Sequence, residues 1–222
     1  MKRIEEFAFL SCKELTGVEF STRLIYFGTY CFGLCGKLQG SLYFLTLHTI
    51  IEDYAFFGCY GLDKTLNIFI GCEKIGHYAF KNCNFEKLEF LEEEEEPENN
   101  MNIGTGAFYS CAKLVQISNL PSNLVSIPPK MFYDCKSLFL SLLIIPDKYK
   151  KISENAFFGC SSMHGILDLN KVETIGDSAF YGCKFTESLN IPSTVKTIEE
   201  TNYYLSIYIY TIYNKNFNIY FI

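Results

Sequence analysis

The sequence predicts an α/β-type repeat solenoid, mostly strand and loop, with one short parallel strand in each repeat of about 24 residues. Three observations lead there. The pattern Ile-x-x-x-Ala-Phe-x-x-Cys returns along nearly the whole chain, a Cys follows every repeat Phe at the same distance, and one short alternating apolar run accompanies each copy.

The pattern stands at Ile4–Ala8–Phe9–Cys12, Ile51–Ala55–Phe56–Cys59, Ile75–Ala79–Phe80–Cys83, Ile103–Ala107–Phe108–Cys111, Ile152–Ala156–Phe157–Cys160 and Ile175–Ala179–Phe180–Cys183. Two copies vary it, Phe27–Cys31–Phe32–Cys35 and Ile127–Met131–Phe132–Cys135, which makes eight repeats. The Phe-to-Phe intervals are 23, 24, 24, 28, 24, 25 and 23 residues. Chance does not keep such a register. The one long interval contains the run Glu92–Glu96 with Glu98, so an acidic loop insertion over 91–100 accounts for it.

The strand element follows each Cys. Runs such as Val18-Glu-Phe20, Leu42-Tyr-Phe44, Leu66-Asn-Ile68, Leu88-Glu-Phe90, Leu167-Asp-Leu169 and Leu189-Asn-Ile191 have the period of two of a strand with one buried face. Pro121, Pro146 and Pro192 come directly after such runs, where a missing N–H ends a ladder. A single repeat cannot bury its own Ile, Phe, Cys and Leu, whereas stacked repeats bury them as continuous columns. The solenoid is therefore expected over 1–198, followed by an irregular Tyr/Ile-rich tail over 199–222. That tail reads either as an edge strand over the open end or as an aggregation-prone gene end.

The copies resemble the BspA-like class of leucine-rich repeats, whose running pattern is similar to Phe-x-x-Cys-x-x-Leu-x-Gly-x-Leu-x-Ile-Pro followed by the Ile-x-x-x-Ala-Phe element. Phe157-Phe-Gly-Cys-Ser-Ser-Met-His-Gly-Ile-Leu-Asp-Leu169 and Leu38-Gln-Gly-Ser-Leu42 carry the likeness. The resemblance implies a noncatalytic, surface-displayed or secreted adhesion-type scaffold. It supplies no fixed binding residues, and no signal peptide is visible, because Glu5 and Glu6 interrupt the N-terminal stretch.

Charge narrows the partners. The net charge is −6 with pI near 5.2, which argues against nucleic acid, since phosphate binding needs clustered Lys and Arg. Tyr203–Tyr213 is too short to span a bilayer. Ten cysteines raise the question of metals and disulfides, but eight share one repeat position and no Cys-x-x-Cys occurs. They read as a buried column of free thiols, with Cys31 at an Ala position and Cys72, in a connecting segment, the reactive one. His48, His77 and His164 fall at different repeat phases and read as solvent-side residues, so neither a metal, a cofactor nor a catalytic constellation is expected.

The outward residue at the centre of each expected strand gives a candidate binding face: Glu19, Tyr43, Asn67, Glu89, Ser118, Leu143, Asp168 and Asn190. Its mixture of acidic, amide and aromatic groups suits a protein or glycan ligand. Uncapped ends also allow end-to-end self-association. Other readings are a partial repeat fragment with a structural role and an intracellular protein-interaction module.

Overall fold

The structure is a computed structural model that describes residues 2–21, 23–42, 48–92, 101–139, 142–164, 166–169, 171–184, 192–199 and 220–221. Its strands are short: β1 (Arg3–Ile4), β2 (Tyr26–Phe27), β3 (Ile50–Ile51), β4 (Thr65–Phe69), β5 (Lys74–Ile75), β6 (Lys87–Leu91), β7 (Asn102–Ile103), β8 (Gln116–Ser118), β9 (Ser126–Ile127), β10 (Leu142–Ile144), β11 (Lys151–Ile152), β12 (Ile166–Asp168), β13 (Thr174–Ile175), β14 (Thr197–Ile198) and β15 (Tyr220–Phe221). All pair in parallel, and no helix occurs among the described residues. Each repeat is one coil of a parallel solenoid, named here coils 1 to 8 by Phe9, Phe32, Phe56, Phe80, Phe108, Phe132, Phe157 and Phe180.

The expected alternating runs form a ladder in the middle and later coils, β4–β6–β8 and β10–β12. The structure adds a second ladder the sequence reading lacked. Two-residue strands order as β1-β2-β3-β5-β7 and β15-β14-β13-β11-β9, and in all but β15 the buried residue is an Ile, or Phe27, at the position that opens the repeat motif. These strands are too short to show any alternation, so the motif Ile read as an isolated apolar residue. Most of the tail expected over 199–222 lies outside the described residues. Tyr220–Phe221 nevertheless pairs in parallel with Thr197–Ile198.

Between the ladders runs the Ala-Phe-x-x-Cys turn, whose backbone account closes without regular structure. In coil 2 the amides of Tyr30, Phe32 and Leu34 donate to Asp53, Ala55 and Phe57 of the next coil at 3.1, 2.8 and 2.6 Å. The intervening amides of Cys31, Gly33 and Cys35 donate back within the coil to Gly28, Tyr30 and Phe32 at 3.0, 3.0 and 3.1 Å. Every second N–H thus ties coil to coil, and the rest tighten the turn. The geometry needs a left-handed residue two before and two after each Phe, such as Tyr30 and Leu34 at φ 53° and 63°.

The invariant spacing of Phe and Cys has a physical cause in the same turn. Seven thiols, from Cys35 to Cys183, donate to the Phe carbonyl of the preceding coil at 3.0 to 3.3 Å. That carbonyl also accepts its own coil's Cys amide, for example Cys35 to Phe32 at 3.1 Å, so both lone pairs are used inside the core. The Phe rings stack face to face from Phe9 to Phe180 with centroids 5.0 to 5.7 Å apart. Burial contributes about 1.5–3 kcal/mol per ring, and each stacked pair roughly 0.5–1.5 kcal/mol beyond that. The pair that brackets the acidic insertion, Phe80–Phe108, still stacks at 5.7 Å with 1° between planes. The insertion therefore leaves the column intact; residues 93–100 of it lie outside the described residues. Asn123 Nδ2 reaches past that level to the carbonyl of Ile70 at 3.2 Å.

Candidate functional site

The outward row expected from the sequence is met most directly in β4–β6–β8. Asn67, Glu89 and Ser118 are Cα partners of one another across the three strands and each is half-buried; Asn67 and Glu89 have buried neighbours on both sides, and Ser118 follows the buried Ile117. Thr65, Lys87 and Gln116 form the parallel row beside them, and Phe69 faces Leu91 at the far end. Lys87 Nζ pairs with Glu89 Oε1 at 2.5 Å. The patch offers carboxylate, amide, hydroxyl, ammonium and apolar groups within three rungs, about 10 Å at strand spacing.

The remaining members of the row are placed differently. Glu19 is exposed but lies outside any strand. Tyr43 and Asn190 lie outside the described residues. Leu143 pairs with Leu167, and Asp168 pairs with Ile144, so Leu143 and Asp168 are offset by one residue and do not share a column. The 25-residue interval between coils 6 and 7 supplies the extra residue that the reading by strand centres did not place.

The thiols also depart from expectation at two points. Cys72 is buried and its Sγ donates to the carbonyl of Thr49 at 3.2 Å; burial pushes its thiol up to about 12, so it is not a reactive group. The exposed thiol is Cys12, which opens the column, and Cys183 at the other end is only partly covered. Between them burial raises the thiols, Cys111 to about 12. The three histidines are exposed. His48 pairs with Glu73 at 2.8 Å, and His77 Nδ1 accepts the Thr105 amide at 2.9 Å. Among the described residues there is no cluster of three groups able to hold a metal ion.

The turn face carries a feature that the sequence reading missed, a half-exposed ladder of aromatic rings parallel to the buried Phe column. It runs Phe7, Tyr30, Tyr54, Tyr78, Tyr109, Tyr133, Phe158 and Tyr181. Tyr30–Tyr54 and Tyr109–Tyr133 lie 4.6 and 4.5 Å apart, within 4° of parallel. The first four rings stand two residues before the repeat Phe, and the last four stand one residue after it. At the switch Tyr78 meets Tyr109 edge-on at 5.7 Å, and Lys81 Nζ sits 4.9 Å over Tyr109. Gly106, at φ 64°, makes room: a Cβ there would stand 2.4 Å from Tyr78 Cε1. The signal for this ladder in the sequence is the pair of aromatic columns at fixed offsets from the repeat Phe.

A model of the BspA type leucine-rich repeat region matches residues 1–100 and 73–210, in six copies. A search of the curated proteins gives no match. A solved leucine-rich repeat protein from Bacteroides ovatus ATCC 8483 is similar over 91% of this chain and 53% of its own, with 23% identity and a TM-score of 0.74. A leucine-rich cell surface protein from Faecalibacterium prausnitzii A2-165 is similar over 85% of this chain and 52% of its own, with 24% identity and a TM-score of 0.54. The T. pallidum leucine-rich repeat protein is similar over 82% of this chain and 70% of its own, at 23% identity and a TM-score of 0.52. The chain spans about half the length of the first two. Coils built on a stacked Phe column, thiols bonded back to each Phe carbonyl, and a family match over most of the sequence agree: this chain belongs to the BspA-type leucine-rich repeat family.

Proposed function

We propose that the chain is a noncatalytic scaffold that binds a protein or glycan through the outward face of β4–β6–β8, displayed at the cell surface or secreted. The observation that carries this reading is the register of Asn67, Glu89 and Ser118, which sets three different polar groups one above another on a rigid ladder. A ligand meets them without reordering the backbone, so the entropy cost of binding falls mainly on a few side chains. Phe69 and Leu91 at the end of the patch favour a protein partner, because they give it apolar area to cover beside the charged pair. Display at the surface is supported by the family and by the Faecalibacterium relative described as a cell surface protein.

The test is binding of the full chain to printed panels of glycans and of extracellular-matrix proteins, compared with the triple variant Asn67→Arg, Glu89→Arg and Ser118→Arg. These side chains are partly covered, Glu89 being 24% exposed and Asn67 Oδ1 buried, so only a triple variant that keeps the circular dichroism spectrum of the parent chain is compared. Loss of at least tenfold in affinity for the bound panel member is expected. Undiminished binding by a folded triple variant would remove this face from consideration.

A further inference from the structure

A second site is carried by the turn face, separate from the sheet face and independent of it. A groove of about 320 Å³ is lined by Tyr60, Asn82, Asn84, Ser110, Ala112, Asp134 and Lys136. These are the positions two and four residues after the repeat Phe in coils 3 to 6. At strand spacing three coil steps cover about 14 Å. Asn84 and Ala112 are short between the longer Tyr60 and Lys136, so the groove is a trough with a wall at each end.

Its chemistry is specific. Tyr60 is 48% exposed, and its ring lies against the preceding coil over Gly36, where a Cβ would stand 3.2 Å from Cδ2. The ring is thus seated, with much of its surface open to solvent. The floor offers amides, a hydroxyl and a carboxylate, and Asp134 against Lys136 leaves no net charge. The residue two after the Phe has a left-handed backbone, and in coils 3, 7 and 8 it is Gly58, Gly159 and Gly182. In the coils that floor the groove it is Asn82, Ser110 and Asp134, at φ 61°, 53° and 55°. Coils 1 and 2 also depart from glycine there, with Ser11 and Leu34 at φ 60° and 63°; the groove differs in setting polar side chains at this position in three successive coils, one above another.

The backbone of the floor decides between ligands. The amides of Asn82, Ser110 and Asp134 are already given to Tyr109, Tyr133 and Phe158 at 2.9, 2.7 and 2.7 Å. An extended peptide, which is recognised largely through main-chain hydrogen bonds, finds these three amides and that of Lys136, which is given to Asp134 at 2.8 Å, already engaged. A ligand rich in hydroxyls needs only side-chain donors and acceptors and one aromatic platform. We propose that this groove binds a short neutral oligosaccharide, with an apolar sugar face on Tyr60 and its hydroxyls on Asn82, Asn84, Ser110 and Asp134.

The experiment is calorimetric titration of the full chain with maltotriose, cellotriose, laminaritriose, mannotriose and chitotriose, alongside an unstructured tetrapeptide. One trisaccharide is expected to bind, Tyr60→Ala to weaken it at least tenfold, and Ala112→Trp, which fills the trough, to abolish it. Ser110→Gly should weaken binding severalfold while raising the melting temperature, a pairing that a merely structural serine would not give. The sheet-face triple variant should bind the sugar unchanged, so failure of either site is seen separately. No binding by any of the five sugars, unaltered binding in folded Tyr60→Ala and Ala112→Trp, or binding of the tetrapeptide in their place overturns the proposal.

Discussion

Removing the ring of Phe108 tests the one-dimensional core more sharply than any other change. The side chain is fully covered and stacks on Phe80 and Phe132 at 5.7 Å on each side. Truncation of a buried Phe to Ala costs about 3–5 kcal/mol, and loss of two stacked neighbours puts Phe108→Ala near the top of that range. Phe9 occupies the same repeat position but is half-buried and stacks on Phe32 at 5.0 Å from one side. The same truncation there should cost about 2 kcal/mol. Urea unfolding followed by circular dichroism and tyrosine fluorescence measures both, and Phe108→Leu serves if the alanine variant fails to fold. A mid-stack loss no larger than the loss at Phe9 would refute the stacked column as the main source of cohesion.

Other predictions concern the thiols, the aromatic switch and the insertion. In native buffer a thiol reagent should modify Cys12 fast and Cys183 slowly, with the remaining thiols reacting only on unfolding. Burial raises Cys31, Cys72 and Cys111 from 9.0 to about 12. Between those values the unfolded chain loses protons that the folded chain keeps, so stability is full below pH 9 and falls above it. Melting temperature against pH should drop above 9, and replacing Cys72 by Ala should flatten that slope. Gly106→Ala meets both the positive φ and the Tyr78 ring, and should lower stability by at least about 1–2 kcal/mol in chemical denaturation with a changed near-ultraviolet spectrum. Replacing Glu92–Glu98 with Gly and Ser should leave the melting temperature within about 2 °C, since such a change in an exposed loop is worth little.

How much of this was legible follows from periodicity. The Phe, Cys and Ile columns could be read because each coil repeats the same residue in the same burial. The ladder of two-residue strands could not, because a two-residue strand has no period. The left-handed turn positions were hidden for a different reason. Only Gly58, Gly106, Gly159 and Gly182 announce them, while Tyr30, Tyr54, Lys130 and Asp134 occupy the same conformation with side chains that suggest nothing of the kind. The offset of Leu143 from Asp168 came from counting strand centres across an interval one residue longer than usual. Cys72 looked reactive because it stands outside the motif, yet a residue outside the motif can still face the core.

Regular coils supply cohesion and leave the outward positions without a packing role, so departures from the repeat on the outside are where selection for something other than stability can be read. These departures gather in one stretch. The aromatic ladder changes column between Tyr78 and Tyr109, the 28-residue interval falls between Phe80 and Phe108, Asn123 bridges back to Ile70, and three successive coils carry polar residues, Asn82, Ser110 and Asp134, in the left-handed position two after the Phe. Each departure carries a local cost that a fully regular coil avoids. Both candidate surfaces, the β4–β6–β8 row and the groove of coils 3 to 6, lie on this same stretch, on different sides of the coil. A ligand on either side would be held by the part of the solenoid whose neighbours above and below are complete, which is also where the coils are least free to separate.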